Sequence, residues 1–336
     1  MTFIRTVLGD IPPEQFGVCY AHEHLIIDPS FTTTGNPDFL LNDEEACVAE
    51  LILFRDAGGR AVVDSMPCDC GRNVAKLASA AQRSGVHVVA PTGLHLSKYY
   101  DPGHWGNQYS ESQLAALFAA DIETGIDRHD YNGPCVDRSS HRAGVIKIAT
   151  GPHFTPREEK VFAAASAVHR SHGCPILTHT EQGELALEQI STLQAHGVNL
   201  AHVCISHTDR KPDLGYHREI LSTGVRLEFD SAFRWPGDDN PTLRLMVTLL
   251  PEFPDQIMLG MDAARRKYWT SYGGGPGLTF LLVQFSDRLR DHGLGDDDLR
   301  RIFVSTPATT YSFAHPVDTH SDRLVSPALG LPRHPK

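Results

Sequence analysis

The sequence predicts an α/β fold, a closed (β/α)8 barrel of the TIM-barrel type, and three observations support this prediction. Short apolar runs rich in β-branched residues alternate with longer segments of helical period. The runs are apolar almost throughout, which is typical of parallel strands buried on both faces. Eight such units in a chain of 336 residues favour a closed barrel over an open sheet. Because no low-complexity linker divides the chain, residues 1–336 are predicted to form a single domain.

The predicted strands are short runs in which valine, isoleucine, leucine and aromatic residues predominate. Each is bounded by glycine, proline or polar residues that favour turns. In chain order they are residues 16–22, 60–65, 86–93, 144–150, 175–180, 202–207, 225–230 and 256–262.

The segments between the strands carry signals that begin and end helices. The clearest predicted helix lies within residues 155–173, where Thr155 is the expected N-cap and Pro156 takes the first helical position. Glu158 completes a capping box, and Gly173 ends the helix. Two further segments of helical period, each ending on glycine, are residues 42–59 and 182–197.

Composition and charge narrow the class of protein. Apolar residues make up 41% of the chain and charged residues 21%, as in an ordinary globular protein. The formal net charge of −11 argues against a nucleic-acid partner, because the phosphates would be repelled. The N-terminus lacks the pattern of a signal peptide, and no run reaches the roughly 18 to 20 apolar residues that cross a bilayer. We therefore expect a cytoplasmic protein with no membrane partner.

The seven cysteines are expected to be reduced. Their number is odd, and the only close pair, Cys68 and Cys70, has one residue between its members. This spacing is neither a disulfide framework nor a thioredoxin-like motif.

The stretch YAHEHLIID, residues 20–28, raises the first functional question. In a strand His22 and His24 share one face, whereas Glu23 points to the other. Two imidazoles on one face can bind one metal ion. In a chain with 19 histidines, however, the pair could equally be packing residues or a chance occurrence.

The other predicted strand ends carry residues that favour the metal interpretation. His179 and His207 lie at the ends of the fifth and sixth predicted strands, and Asp262 lies at the end of the eighth. In a barrel these ends meet at the catalytic face. Lys147 stands among apolar residues of the fourth strand, so its amine must be paired, neutral or chemically modified. A neutral amine can react with carbon dioxide to give an anionic carbamate. The alternative is a lysine paired with a carboxylate of the barrel.

Together these segments resemble the phosphotriesterase-like branch of the amidohydrolase superfamily. The family pattern is matched by AHEHL, AGVIKIAT, LTHTEQG, CISHTDR and GMDAARR. The resemblance also covers VVDSMPCDCGRN, the TGLHLSKYY loop and PATTYSF, so it extends from about residue 5 to residue 315. It implies an amidohydrolase-like barrel with a binuclear metal site.

The resemblance implies a role for each matched residue. His22, His24 and Asp262 would hold one divalent ion, and His179 and His207 the other. N6-carboxylated Lys147 would bridge the two ions beside a hydroxide. Zinc is the expected metal, with manganese or cobalt as alternatives. Asp262 is also the expected catalytic residue, because it is placed to take the proton of the hydroxide and carry it to the leaving group.

Several polar residues have no assigned metal role in this pattern. Asp64 could orient a ligand histidine or anchor a loop, and both interpretations stay open. Asp69 and Arg72 are interpreted as structural. Histidines that match no metal position are interpreted as loop, surface or packing residues, and they are His95, His104, His153, His196 and His202.

The loops supply the candidates for substrate binding. The loop after the eighth strand contains Arg265, Arg266 and Tyr268, whose donors suit a phosphate or carboxylate. Arg234 after the seventh strand and Tyr99 after the third are further candidates. The alternative for the arginine pair is a solvated helix start. These loops give no sign of the apolar pocket that a neutral phosphotriester would need.

The loops therefore resemble those of family lactonases that act on phosphorylated sugar lactones. The shared features are the Asp, Arg-Arg and aromatic run and the YGGGPG segment. This resemblance implies a small-molecule lactone or ester substrate and suggests a homodimer. Alternatives on the same site are a phosphotriesterase and an N-acyl amidase. Outside hydrolysis, the alternatives are a barrel that binds without catalysis and an aldolase-type enzyme with Lys147 as a Schiff base.

Overall fold

A computed structural model describes residues 2–237 and 239–314. Its strands confirm the predicted parallel α/β architecture, and the third predicted strand is interrupted at Ala90 to give two short strands. In chain order the strands are β1 (Ile4–Thr6), β2 (Gly9–Ile11), β3 (Cys19–Glu23), β4 (Ala61–Asp64), β5 (His87–Val89), β6 (Pro91–Gly93), β7 (Val145–Thr150), β8 (Ile176–Thr180), β9 (Val203–Ser206), β10 (Arg226–Phe229) and β11 (Ile257–Leu259).

The strands from β3 to β11 form the barrel, and every ladder between them is parallel. One run of neighbours is β3-β4-β5 and the other is β6 to β11 in chain order. The last strand meets the first where the Asp262 backbone N–H donates to the His22 carbonyl at 3.1 Å. The antiparallel pair of β1 and β2 precedes the barrel.

A helix of the outer layer follows each barrel strand except β5, which leads directly into β6. The twelve α-helices of residues 2–237 and 239–314 are α1 (Phe31–Thr34), α2 (Glu44–Asp56), α3 (Val74–Ser84), α4 (Trp105–Gln108), α5 (Glu111–Glu123), α6 (Pro156–His172), α7 (Ala186–Ala195), α8 (Leu214–Ser222), α9 (Pro241–Leu249), α10 (Ser286–Asp291), α11 (Asp296–Arg300) and α12 (Thr306–Thr310). Of these, α1 and α4 are short pieces within loops. None of the helices in this part of the chain combines the length and the apolar character needed to cross a membrane.

Helix α6 has the ends that its sequence predicts. The Glu158 carboxylate accepts from the Thr155 N–H at 2.8 Å, which is one half of the capping box. Gly173 ends the helix with a φ of 70°.

The barrel interior is apolar at the N-terminal end of the strands and polar at the C-terminal end. On β7 the inward side chains are Val145, Lys147 and Ala149, whereas Ile146 and Ile148 pack against the outer helices. Val145 belongs to an apolar cluster at the closed end of the barrel. Lys147, two residues further on, begins the polar layer that faces the open end.

Gly93 lets β6 lie close to the strand that carries Lys147. Its φ is 103°, and a Cβ there would collide with the Lys147 carbonyl, its partner in the ladder. We expect Gly93→Ala to lower the free energy of unfolding by about 2 to 4 kcal/mol, because strain and steric overlap act together. Urea unfolding of the metal-free protein would measure this loss. Gly85→Ala is the matched control, since Gly85 has a φ of 73° but open space around it. Equal losses for both variants would contradict the role of the close approach.

Candidate metal centre

The structure brings the six predicted metal-site residues together at the open end of the barrel. His22 Nε2 lies 3.5 Å from Lys147 Nζ and 3.8 Å from Asp262 Oδ1. His24 Nε2 lies 3.2 Å from the same carboxylate oxygen. The His207 ring packs between those of His22 and His179, with centroid distances of 4.8 and 4.5 Å. We call the group His22, His24 and Asp262 the first metal position and the pair His179 and His207 the second.

Lys147 is fully buried and makes no ion pair within 4.0 Å to any carboxylate of the described chain. Its nearest polar neighbour is the His22 nitrogen. Burial lowers the pKa of Lys147 to about 8, although the charges of Asp262 and Glu228 oppose the shift. The structure therefore does not contain the salt-bridged lysine that was the alternative interpretation. A lowered pKa increases the fraction of the amine that is neutral, and the neutral amine is the form that carbon dioxide can carboxylate.

Burial favours the neutral form of three of the predicted ligand histidines, and hydrogen bonds orient two of them. Burial lowers the pKa of His179 to about 3 and that of His207 to about 4, and it also holds the pKa of His22 well below its usual range. His22 Nδ1 lies 2.9 Å from Ser206 Oγ, and His207 Nδ1 is hydrogen-bonded to Asp230. Each bond leaves Nε2 for the centre, which is how metal-ligating histidines are usually held.

One imidazole nitrogen at the centre, Nε2 of His179, is buried and has no hydrogen-bond partner among the described residues. It lies 3.5 Å from Glu181 Oε2, but without the geometry of a hydrogen bond. Buried polar atoms without partners are unusual in proteins, and ligation would satisfy this nitrogen. Nδ1 of His24 is also buried without a partner, but Nε2 is the His24 nitrogen that faces Asp262, so ligation at Nε2 would leave Nδ1 unchanged. Neutral imidazoles with a carboxylate suit zinc, manganese or cobalt.

Glu23 fixes the backbone on both sides of Asp262. Its buried carboxylate accepts from the N–H of Met261 at 2.8 Å and from that of Ala263 at 3.3 Å. Asp262 itself has a φ of 47°, which is uncommon for a residue other than glycine. Glu23 was predicted to point to the face of the strand opposite the two histidines, and no role was predicted for it. A charged residue inside a buried strand was the signal that could have found it.

Two arginines hold the carboxylates of this site. Arg210 donates to Asp230 at 2.8 Å and to Asp262 Oδ2 at 2.7 Å. Arg234 donates to the same two carboxylates at 2.9 and 3.0 Å. Burial alone would raise the pKa of Asp262, but the hydrogen bond to His24 and the two guanidinium charges hold it well below its usual range. Arg210 lies in the segment CISHTDR, but it was not among the predicted site residues.

A cavity of about 480 Å³ opens above the two metal positions. Four of the five predicted substrate-binding residues line it, namely Tyr99, Arg234, Arg265 and Tyr268. Arg266 is not among its lining residues, because its guanidinium donates to the Leu40 carbonyl at 2.5 Å and to Asn42 at 3.1 Å. A substrate role for Arg266 therefore stays a prediction that its placement does not support. The loops gave no sign of an apolar pocket, but apolar side chains also line the cavity. They are Ile27, Phe39, Met66 and Trp235.

The remaining polar candidates are structural, with one exception. Asp64 accepts from the N–H of Leu25 at 2.8 Å and of Met66 at 3.0 Å, so it anchors a loop and orients no histidine. Arg72 lies in a buried ion network, as interpreted. The exception is His95, which packs against the His179 ring at 4.9 Å and lines the cavity.

A parallel barrel whose open end gathers neutral imidazoles, a buried amine and a carboxylate defines a metal-dependent hydrolase. The model of the phosphotriesterase family matches residues 2–311. A phospho-furanose lactonase from Mycoplasmopsis synoviae is 34% identical over 93% of this chain and 92% of its own. The chain belongs to the phosphotriesterase family.

Solved structures agree with this assignment. A lactonase from Listeria monocytogenes superposes with a TM-score of 0.85 at 30% identity, over 93% of this chain and all of the other. The phosphotriesterase homology protein from Escherichia coli, solved with phosphate in its active site, gives a TM-score of 0.80 at 30% identity, over 88% of this chain and 99% of the other. The family is one of binuclear metal enzymes, and the His22, His24 and Asp262 cluster fits such a site.

Proposed function

We propose that this protein is a lactonase that opens phosphorylated sugar lactones. The observation that carries the proposal is the lining of the cavity, where three arginines and a tyrosine share one space with the metal positions. The arginines are Arg210, Arg234 and Arg265, and the tyrosine is Tyr268. Arg210 and Arg234 also hold Asp230 and Asp262, whereas Arg265 has an ion pair with Asp38 at 3.8 Å, so Arg265 is the first candidate for the phosphate. Guanidinium groups bind phosphate through paired charge-assisted hydrogen bonds. The lactonase names of the relatives and the phosphate bound by the Escherichia coli protein support the same substrate class.

We further propose that the centre holds two divalent ions, zinc before manganese or cobalt, bridged by N6-carboxylated Lys147. Carboxylation joins the neutral amine to carbon dioxide with loss of one proton. When bound, the ions supply a hydroxide nucleophile at neutral pH and polarise the carbonyl of the substrate. The assignment of the ligands follows the first and second metal positions, and its structural support is the contact of His24 Nε2 with Asp262 at the first and the unpartnered Nε2 of His179 at the second.

The residues of the chain carry the remaining steps. Asp262 Oδ1 faces His24, whereas Oδ2 is held by Arg210 and Arg234. We assign to Asp262 the transfer of a proton from the nucleophile to the ring oxygen that leaves the acyl carbon. Water is thus added across one ester bond, and the product is a hydroxy acid. Tyr99 and Tyr268 are among the residues that line the cavity. The proposal also includes three points that rest on the sequence alone: a single domain over residues 1–336, a cytoplasmic location and a homodimer.

One observation favours a phosphotriesterase as the second candidate. The same cavity is lined by apolar side chains, and neutral triesters prefer such surroundings. The two candidates differ in the charge of their substrates. A phosphorylated lactone needs the arginines, whereas a neutral triester gains little from them.

A panel of paired substrates tests the proposal. Each sugar lactone is assayed beside its phosphorylated form, together with a neutral phosphotriester. We expect kcat/KM to be on the order of 100-fold higher for the phosphorylated member, because charge-assisted hydrogen bonds are worth about 1.5 to 3 kcal/mol each. Equal values within the pairs would remove the argument from the arginines. A preference for the triester would instead support the second candidate.

A further inference from the structure

Glu228 is a buried acid beneath the metal centre to which the proposed mechanism gives no task. It lies on β10, is completely buried and pairs in the ladders with Ser206 on one side and Met258 on the other. Because side chains alternate along a strand, Glu228 and Asp230 point to the same face, the interior of the barrel. Glu228 therefore belongs to the polar layer that also contains His22 and Lys147.

Neither carboxyl oxygen of Glu228 has a hydrogen-bond partner within the described part of the chain. Burying such a group without partners costs free energy that an apolar side chain of the same size would save. Another buried acid of this barrel, Glu23, is satisfied on both carboxylate oxygens, which accept from two backbone N–H groups. A buried acid that the fold does not need for its own hydrogen bonds points to a role in the site above it.

Glu228 lies close to a histidine that is a predicted metal ligand. Glu228 Oε2 lies 3.5 Å from His22 Nδ1, the nitrogen that also contacts Ser206 Oγ at 2.9 Å. The other nitrogen of the ring, Nε2, faces Lys147 and Asp262. One side of the His22 ring thus meets the metal position, and the opposite side meets a hydroxyl and a carboxyl group from two adjacent strands.

The neighbouring backbone leaves room for this carboxyl group. A Cβ at Gly260 would lie 2.6 Å from Glu228 Oε1 and 2.7 Å from the His22 carbonyl. Glycine at this point lets β11 approach both the acid and the strand that carries His22. The Glu228 carboxyl group therefore lies where the last barrel strand meets the first, next to the first metal position.

We infer that Glu228 is a positioning residue that holds the inner side of the His22 ring and so supports metal binding at the first metal position. Ser206 Oγ is hydrogen-bonded to Nδ1, and the Glu228 carboxyl group lies against the same side of the ring at 3.5 Å, so that together they fix the ring and keep Nε2 directed at the metal position. Partners of this kind behind a metal-ligating histidine raise metal affinity. The inference depends on the metal centre of the proposed function but not on the identity of the substrate.

The test measures metal affinity in the full-length protein. Metal-free wild type, Glu228→Leu and Glu228→Gln are equilibrated with Co²⁺ at buffered free concentrations, and bound cobalt is counted by mass spectrometry and followed by its visible absorption. We expect wild type to bind two ions. Glu228→Leu should weaken one of them by about 10- to 100-fold and leave the other nearly unchanged. Glu228→Gln, which keeps a side-chain oxygen that can accept from Nδ1, should restore most of the affinity.

A buried acid elsewhere provides the matched control. Glu50 is also fully buried, but its carboxylate accepts from the N–H groups of Ser271 and Leu278 at 2.8 and 2.9 Å. Glu50→Gln should lower thermal stability and leave both cobalt affinities as in wild type.

The outcomes separate this inference from the proposed function. If Glu228→Leu bound two ions at wild-type affinity, this inference would be overturned and the proposed function would stand. Equal weakening of both ions would have the same consequence, since it would indicate general distortion of the barrel. Glu228→Gln as weak as Glu228→Leu would also overturn the inference, because the accepting oxygen would then be irrelevant. A wild-type protein that binds no ion would remove the proposed function and this inference together.

Discussion

Replacing Lys147 with alanine should lower kcat/KM for the preferred lactone by on the order of 1,000-fold or more, because the proposed ligand shared by the two ions would be lost. The bound metal should fall from two equivalents to one or fewer. Lys147 is fully buried, its amine makes no ion pair with a carboxylate of the described residues, and its pKa is lowered to about 8. Activity assays and metal counting after gel filtration would measure both effects. Undiminished turnover with two bound ions would contradict the proposed centre.

Lys147→Met separates the loss of the ligand from the loss of packing. Methionine fills a similar volume and tolerates apolar surroundings, so the barrel should fold. If the amine is carboxylated, the methionine variant should lose activity and metal as the alanine variant does. Intact-mass measurement of wild type under native conditions, with and without added bicarbonate, would detect the extra carbon dioxide directly. Methionine in place of Lys147 with full activity would exclude a carbamate.

The barrel could be predicted from the sequence because its signals are local and repeated. The runs around Val145 and Ile257 are apolar on both faces, which fits parallel strands covered by helices. Thr155 and Gly173 mark the two ends of α6 by rules that involve only neighbouring residues. The interruption of the third strand at Ala90 could not be predicted, because it depends on the fit between neighbouring strands.

The convergence of the six predicted metal-site residues could be predicted because they are unusual residues at or near strand ends. Their supporting residues could not, since the contacts that define them are distant in sequence. Glu23 acts on Met261, and Arg210 acts on both Asp230 and Asp262. The two adjacent arginines of the last loop look equivalent in sequence. The structure separates them, with Arg265 in the cavity and Arg266 bound to the loop after β3.

Asp262 combines two tasks that a single substitution can separate. It contacts His24 through Oδ1, and two guanidinium groups hold Oδ2. Its low pKa keeps it anionic across the physiological range, which suits a metal ligand. A group with such a low pKa holds a proton only briefly. Asp262 is therefore suited to passing a proton from nucleophile to leaving group and unsuited to storing it.

Asp262→Asn should retain most of the shape of the site and lose the proton transfer. We expect kcat to fall on the order of 1,000-fold or more even when excess metal keeps both positions filled, since an amide neither accepts the proton nor delivers it. Metal counting on the assayed sample would show that the loss is not one of loading. Asp38→Asn is the control, because Asp38 lies 3.8 Å from Arg265 but does not line the cavity. If metal-filled Asp262→Asn turned over within about tenfold of wild type, the proton would have to travel through another group, and the role assigned to Asp262 would be wrong.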